Sequence, residues 1–173
     1  MAIELRPSVN KTPAGAPQPF YCSRIFKYSA PDRFECVVTN YADPDGQIPL
    51  AQIIIKGHNL WQGEHPIAKG AYNLDYVADE AYEVTPMHPG FVDAANKFSS
   101  SGLKRWELGV TQDVRRKSFP LFGLVEGQVY VDYDLIYVYN GMLFNGSKNV
   151  DGRAFDKPEN RPTNLQVPLV RKE

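Results

Sequence analysis

The sequence predicts an all-β, antiparallel fold, a barrel or sandwich of about eight strands with one short helix. Three observations predict it. Between Trp106 and Gly146 two runs place large apolar residues at every second position. Elsewhere, strand-like runs recur roughly every ten residues between clusters of turn-forming residues. Finally, one stretch alone carries a convincing helical period.

In WELGVTQDV, Trp106, Leu108, Val110 and Gln112 share one face at period two, with Glu107, Thr111 and Asp113 opposite. In QVYVDYDLIYVYNGMLF, Val131, Tyr133, Leu135, Tyr137 and Tyr139 share a face, with Asp132 and Asp134 opposite. Both runs are rich in the aromatic and β-branched residues that strands favour.

Taken from the N-terminus, residues 1–19 hold four prolines and no sustained period, so they read as a solvated arm ahead of a single domain over 20–173. Phe20 to Tyr28 alternates Phe20, Cys22, Arg24, Phe26 and Tyr28, and Arg33 to Tyr41 answers it across a tight turn. With the turn at Ser29 to Asp32, Tyr28 faces Arg33 and Cys22 faces Thr39. That register points the two thiols to opposite faces and leaves them unbridged.

Arg24 shares an apolar face with Phe20, Phe26 and Tyr28, where a guanidinium is costly unless a carboxylate meets it. In this register Glu35 lies diagonally across, which predicts an internal Arg24 to Glu35 ion pair. The functional alternative is an anchor for a ligand's polar head.

ADPDGQIP (42–49) is turn chemistry, and LAQIIIKG (50–57) is a strand. Tyr72, Leu74, Tyr76 and Ala78 define the next run, and Ala81 to Val84 a further short strand that carries Glu83. Thr85-Pro86 reads as a helix start, followed by Phe91, Ala94, Ala95 and Phe98 at helical spacing.

Chemistry is sparse. Net charge is −1, which offers no field to draw nucleic acid or an anionic membrane. No apolar run reaches the roughly 20 residues of a membrane span, no secretory leader is evident, and the expected location is the cytoplasm. His58, His65 and His88 lack metal-ligand spacing and no CxxC occurs, so neither a metal nor another cofactor is expected. GxSxG, the P-loop and GxGxxG are absent. Asp132 and Asp134 are a like-charged pair on one face, ordinary in solvent but an acid and a base if they line a cavity. With Glu83 they are the candidate catalytic groups.

Several motifs carry a resemblance across most of the chain: IELRP (3–7), SRIFKY (23–28), NYADP (40–44), Gly70 of AKGAYNLDY, VTPM (84–87), WELGVTQDV (106–114), and above all LFNG, DKPENRPT and a Q-P-L-V ending within 142–170. In this order they are similar to the domain of the adenomatosis polyposis coli down-regulated family of animal Wnt antagonists. The resemblance implies a lipocalin-like (calycin-type) antiparallel β-barrel with an apolar cavity, associated in the animal proteins with lipid binding. By position, Arg24 matches the family's arginine in its first long strand, and Trp106 its tryptophan before the Gln112-Asp113 pair.

The animal domain's cysteines are missing, their places taken by Ile3, the neighbourhood of Gly46 and the region of Pro120. Wnt antagonism is therefore not carried over, and the chain is expected to be a cytoplasmic, microbial relative with another ligand. Two functions follow as expectations. One is a binding module for an apolar small molecule (lipid, fatty acid, terpenoid or polyketide-like), lodged among Phe26, Tyr72, Tyr76, Trp106, Leu108, Tyr133, Leu135 and Tyr137, with Arg24 on its head. The other is a cofactor-free cyclase or isomerase acting on such a molecule in a natural-product or lipid pathway. Both leave room for a homodimer. A fully packed interior is the plain structural alternative.

Overall fold

The structure is a computed structural model, and it describes residues 4–6, 20–29, 31–67, 69–98, 102–149 and 151–171. It is all-β and antiparallel, with one α-helix, in keeping with the lipocalin-like class. The strands are β1 (Glu4–Arg6), β2 (Phe20–Ser29), β3 (Arg33–Tyr41), β4 (Pro49–Glu64), β5 (Ala71–Pro86), β6 (Gln112–Asp113), β7 (Val131–Tyr139), β8 (Met142–Asn145) and β9 (Leu169–Val170). Hydrogen-bonded neighbours follow the order β1-β2-β3-β4-β5-β7-β8-β9, with β6 against β5. Apart from β1, the expected arm over 1–19 lies outside the described residues.

The chain divides into two compact units. Unit 1 comprises Met1–Leu5, Phe20–His58 and Val77–Tyr130; unit 2 comprises Arg6–Pro19, Asn59–Tyr76 and Val131–Glu173. The long strands β4 and β5 each contribute to both. The sequence suggested shorter pieces here, one ending at Gly57 and, further on, separate runs over 72–78 and 81–84. Gly57 instead permits a close approach of strands: a Cβ there would overlap the Val77 carbonyl.

In unit 1 the β2–β3 pairing is displaced by one residue from the expected register. Ser29 faces Arg33, Phe26 faces Cys36 and Cys22 faces Asn40. A slip of one changes every face. Cys22 and Cys36 therefore lie on the same face, not opposite ones; both are buried thiols with no disulfide, because their register positions stand four residues apart along the strand.

Glu35 moves to the face away from Arg24, opposite Lys27, and pairs with Lys56 at 2.9 Å, so the register rules out the expected Arg24 to Glu35 ion pair. Arg24 is half-buried opposite Val38, with its guanidinium 5.5 Å from the Phe26 ring.

The face shared by Phe34, Cys36, Val38, Ile53 and Ile55 turns inward. Buried Ile53, Ala78, Tyr82, Val84, Ala95, Trp106, Val114, Phe119 and Leu124 form the core of unit 1, with Val38, Phe91, Phe122 and Tyr130 packed against it. The opposite face is ionic, with Glu35, Lys56, Arg33 and His58 in register on β3 and β4. The Lys56 ammonium is held above its usual range by its hydrogen bond to Glu35 and by that residue's charge.

The helix α1 (Pro89–Phe98) begins three residues later than expected. Pro86 closes β5 and the Thr85 hydroxyl bonds the Thr111 hydroxyl at 2.7 Å, so neither starts a helix. His88 is the cap: Gly90 N–H donates to its Nδ1 at 3.0 Å, and Pro89 takes the first helical position, where a missing N–H costs nothing.

In unit 2, β7 and β8 form a hairpin across Asn140 and Gly141, both at positive φ (48° and 72°), the conformation that an Asn-Gly turn supplies. The tail then pairs back on this hairpin. Ser147 N–H donates to Asn164 O at 2.7 Å, Gln166 N–H to Asn145 O at 3.0 Å, and β9 extends β8.

Candidate functional site

Trp106 is the centre of unit 1 and is 1% exposed. It does not sit on a strand. Leu108 and Gly109 form a turn in which Gly109 takes φ 75°, and Leu108, 55% exposed, faces away from the core. The period-two pattern in WELGVTQDV was thus misleading, since a left-handed glycine breaks the alternation after Trp106 and only Gln112–Asp113 pairs with β5.

Side-chain amides replace the missing strand partners. Trp106 N–H donates to Asn96 Oδ1 at 2.8 Å and Asn96 Nδ2 donates to Trp106 O at 3.0 Å. Gln112 holds Lys104 in the same two-bonded fashion, at 2.9 and 3.1 Å. Each amide gives one hydrogen bond and accepts one, as a strand backbone does.

Around the indole, aromatic rings form a continuous series. Trp106 meets Phe119 at 5.2 Å between centroids, Phe119 meets Phe122 at 5.2 Å, and Phe122 meets Phe91 of α1 at 6.1 Å. Phe91 and Phe122 are half-buried, so the series runs from the surface beneath α1 and the 3-10 turn Pro120–Phe122 to the buried indole. Tyr82 and Tyr130 add an edge-on pair at 5.9 Å. The indole Nε1–H is buried and meets no acceptor among the described residues. A buried donor with nothing to donate to costs about 1–3 kcal/mol, so it is a place where a bound atom would be welcome.

The ionic face of unit 1 carries a second cluster. His58 Nδ1 lies 2.9 Å from both Asp79 oxygens and Nε2 lies 3.7 Å from Glu80, which also pairs with Arg33. Arg115 donates to the Asp79 and Glu80 carbonyls at 2.7 and 2.8 Å. Charges this exposed form a solvated lattice worth at most about 1 kcal/mol per pair. Glu83, a catalytic candidate, sits on β5 directly opposite Asp113 and close enough to raise the Lys56 pKa, so it belongs to this lattice.

Among the described residues, the buried carboxylates belong to unit 2. Asp134 is 2% exposed, and its Oδ1 accepts from Leu135 N–H at 2.7 Å and Gly146 N–H at 2.8 Å, which makes it a structural acceptor. Asp132 is half-buried. Asp75 is buried, pairing with Arg161 at 2.6 Å and accepting from Gln62 at 2.8 Å. Arg161 also donates to the Leu74 and Asp134 carbonyls and lies 5.6 Å from the Tyr133 ring.

The neighbouring Pro162 packs where a Cβ on Gly146 would fall, and its carbonyl faces His65 Nε2 at 3.3 Å. The NRPT motif is therefore a clasp that fastens the tail onto β5, β7 and β8. Sequence reasoning found the motif distinctive but assigned Arg161 and Asp75 no role, because partners 86 residues apart leave no spacing to read.

The nine residues expected to contact a ligand fall in both units. Arg24, Phe26, Trp106 and Leu108 are in unit 1, and Tyr72, Tyr76, Tyr133, Leu135 and Tyr137 in unit 2. Tyr72 is exposed, edge-on to Trp61 at 6.3 Å. Tyr76 is buried and accepts from Asn145 Nδ2 at 3.0 Å, and Leu135 is buried. Tyr137 stacks on Tyr139 at 6.1 Å.

Among the described residues no group of three or more His, Cys, Asp or Glu side chains is placed to hold a metal ion. No helix there is long and apolar enough to cross a membrane. No model of a known protein family matches the chain.

Proposed function

We propose that this protein binds an apolar small molecule in unit 1, with the guest's polar atom accepting from Trp106 Nε1–H. The buried, unanswered indole donor carries the proposal. Its surroundings fit such a guest. The Phe91, Phe122, Phe119 and Trp106 rings run from half-buried to buried, with Phe91 on the short helix and Phe122 on the 3-10 turn. Displacing half-buried rings costs less than opening a strand, and a guest recovers about 25 cal/mol per Å² of apolar surface it removes from water. The resemblance to a domain that accompanies lipid binding points the same way.

Binding is favoured over a cyclase or isomerase because, among the described residues, unit 1 buries no carboxylate or imidazole that could move a proton beside the indole. Two buried, unbridged thiols suit the reducing cytoplasm.

The test uses Trp61→Phe, which leaves Trp106 as the only tryptophan. Titration with all-trans-retinol should quench Trp106 emission saturably at one equivalent, through energy transfer to the polyene. Linear, non-saturating quenching would refute the proposal.

A further inference from the structure

Resting on the binding reading above, we infer that the guest beside Trp106 presents a neutral oxygen acceptor, a ketone, ester, ether or alcohol, and not a carboxylate. The unanswered donor is itself neutral: an indole N–H supplies one hydrogen bond and no charge. Among the described residues of unit 1 no lysine, arginine or histidine is buried, so an anion drawn in beside Trp106 would shed its water with no counter-charge to replace it. That cost is severe for a carboxylate and modest for a carbonyl that gains one bond.

Arg24 is the cation on the core-side face of the sheet, yet it stands at the periphery. It lies on β2, one strand beyond Val38, the β3 residue through which that row touches the cluster, and its guanidinium rests on Phe26. The sequence alone suggested Arg24 as the grip for an acidic head. Its half-buried place against the Phe26 ring keeps it apart from the buried indole, which supplies the interior contact.

The experiment compares three eight-carbon probes on the whole protein by isothermal titration calorimetry: methyl octanoate, octanoate and octane. The ester should bind at least tenfold more tightly than the acid at pH 7. Trp106→Phe, which keeps an aromatic ring in place, should weaken the ester about five- to tenfold and leave octane within twofold. Arg24→Ala should change none of the three by more than twofold.

Octanoate binding as tightly as the ester, with Arg24→Ala abolishing its binding, would overturn the inference while leaving the binding function intact. Failure of all three probes would remove the binding function itself. The ester-to-acid ratio is read on the unaltered chain, so it decides the matter even if Trp106→Phe does not fold.

Discussion

In unit 1 the strand interiors are covered by rings, Trp106, Phe119, Tyr82 and Tyr130, while the paired charges of β3 and β4 lie on the outer face and half-buried Arg24 stands at the edge of the inner one. In unit 2 they are covered by polar groups whose bonds run in fixed directions: Asp75 to Arg161, Asp134 to two backbone N–H groups, Asn145 to Tyr76. Apolar contact is non-directional and tolerates a changed neighbour, whereas a buried ion pair admits one geometry. The difference assigns the two regions different work. The ring-lined unit is the one in which we propose a guest, and the bonded unit fastens residues 161–166 onto β7 and β8.

The sharpest way to break this comparison is to remove the guanidinium. Arg161→Met should cost about 3–5 kcal/mol, because it strands the buried Asp75 carboxylate. The double variant Asp75→Leu with Arg161→Met should recover most of that loss, since an apolar pair leaves no charge uncompensated. Urea unfolding followed by circular dichroism measures both. A cost below about 1 kcal/mol for the single variant would mean that the clasp does not hold unit 2 together.

The corresponding change in unit 1 should obey a different rule. Phe119→Ala removes a fully buried ring between Trp106 and Phe122, and should cost about 3–4 kcal/mol through lost burial and the cavity left behind. Phe119→Leu, which refills most of the space, should cost roughly 1–1.5 kcal/mol. If the two variants lost equal stability, the site would be reading ring geometry instead of volume, and the contrast between the units would weaken.

How much of this was legible beforehand follows from the range of each interaction. The strands β2, β3 and β7 were readable because alternation is local, and the helical period of Phe91, Ala94, Ala95 and Phe98 is local too. Register was not. Whether Ser29 or Tyr28 faces Arg33 depends on a turn of a few residues, and one residue's error placed Glu35 on the wrong face and set the two cysteines on opposite faces, although the expectation that they stay unbridged holds.

Trp106 was read as a strand residue lining a cavity, but it is a buried residue outside any strand. The alternation that seemed to bury it with Leu108 ends at Gly109, and Asn96, ten residues upstream on a helix, holds its backbone instead. The Arg161 clasp and the Phe119 ring contact join segments distant in sequence, and no single-chain pattern encodes which distant partner will be met.

The smallest expected effect concerns a loop of unit 1. Burial alone would raise the Asp43 pKa, but the backbone N–H groups of Gln47, Ile48, Asp45 and Gly46 outweigh it and hold the carboxyl below the usual range. Its oxygens accept from Asp45, Gln47 and Ile48 at 3.0, 3.1 and 2.6 Å. A folded-state pKa lowered in this way contributes stability that is fully present above the unfolded value of 3.8 and is lost as pH falls through the folded value. Asp43→Asn should therefore be slightly less stable than the parent at pH 7, and the gap should hold down to about pH 5 and then close on acidification. Unfolding midpoints in urea across that range measure the gap. A gap that persisted undiminished at pH 2 would show that Asp43 acts through its shape and not its charge, and would place it with the directional, charge-independent contacts of the loop.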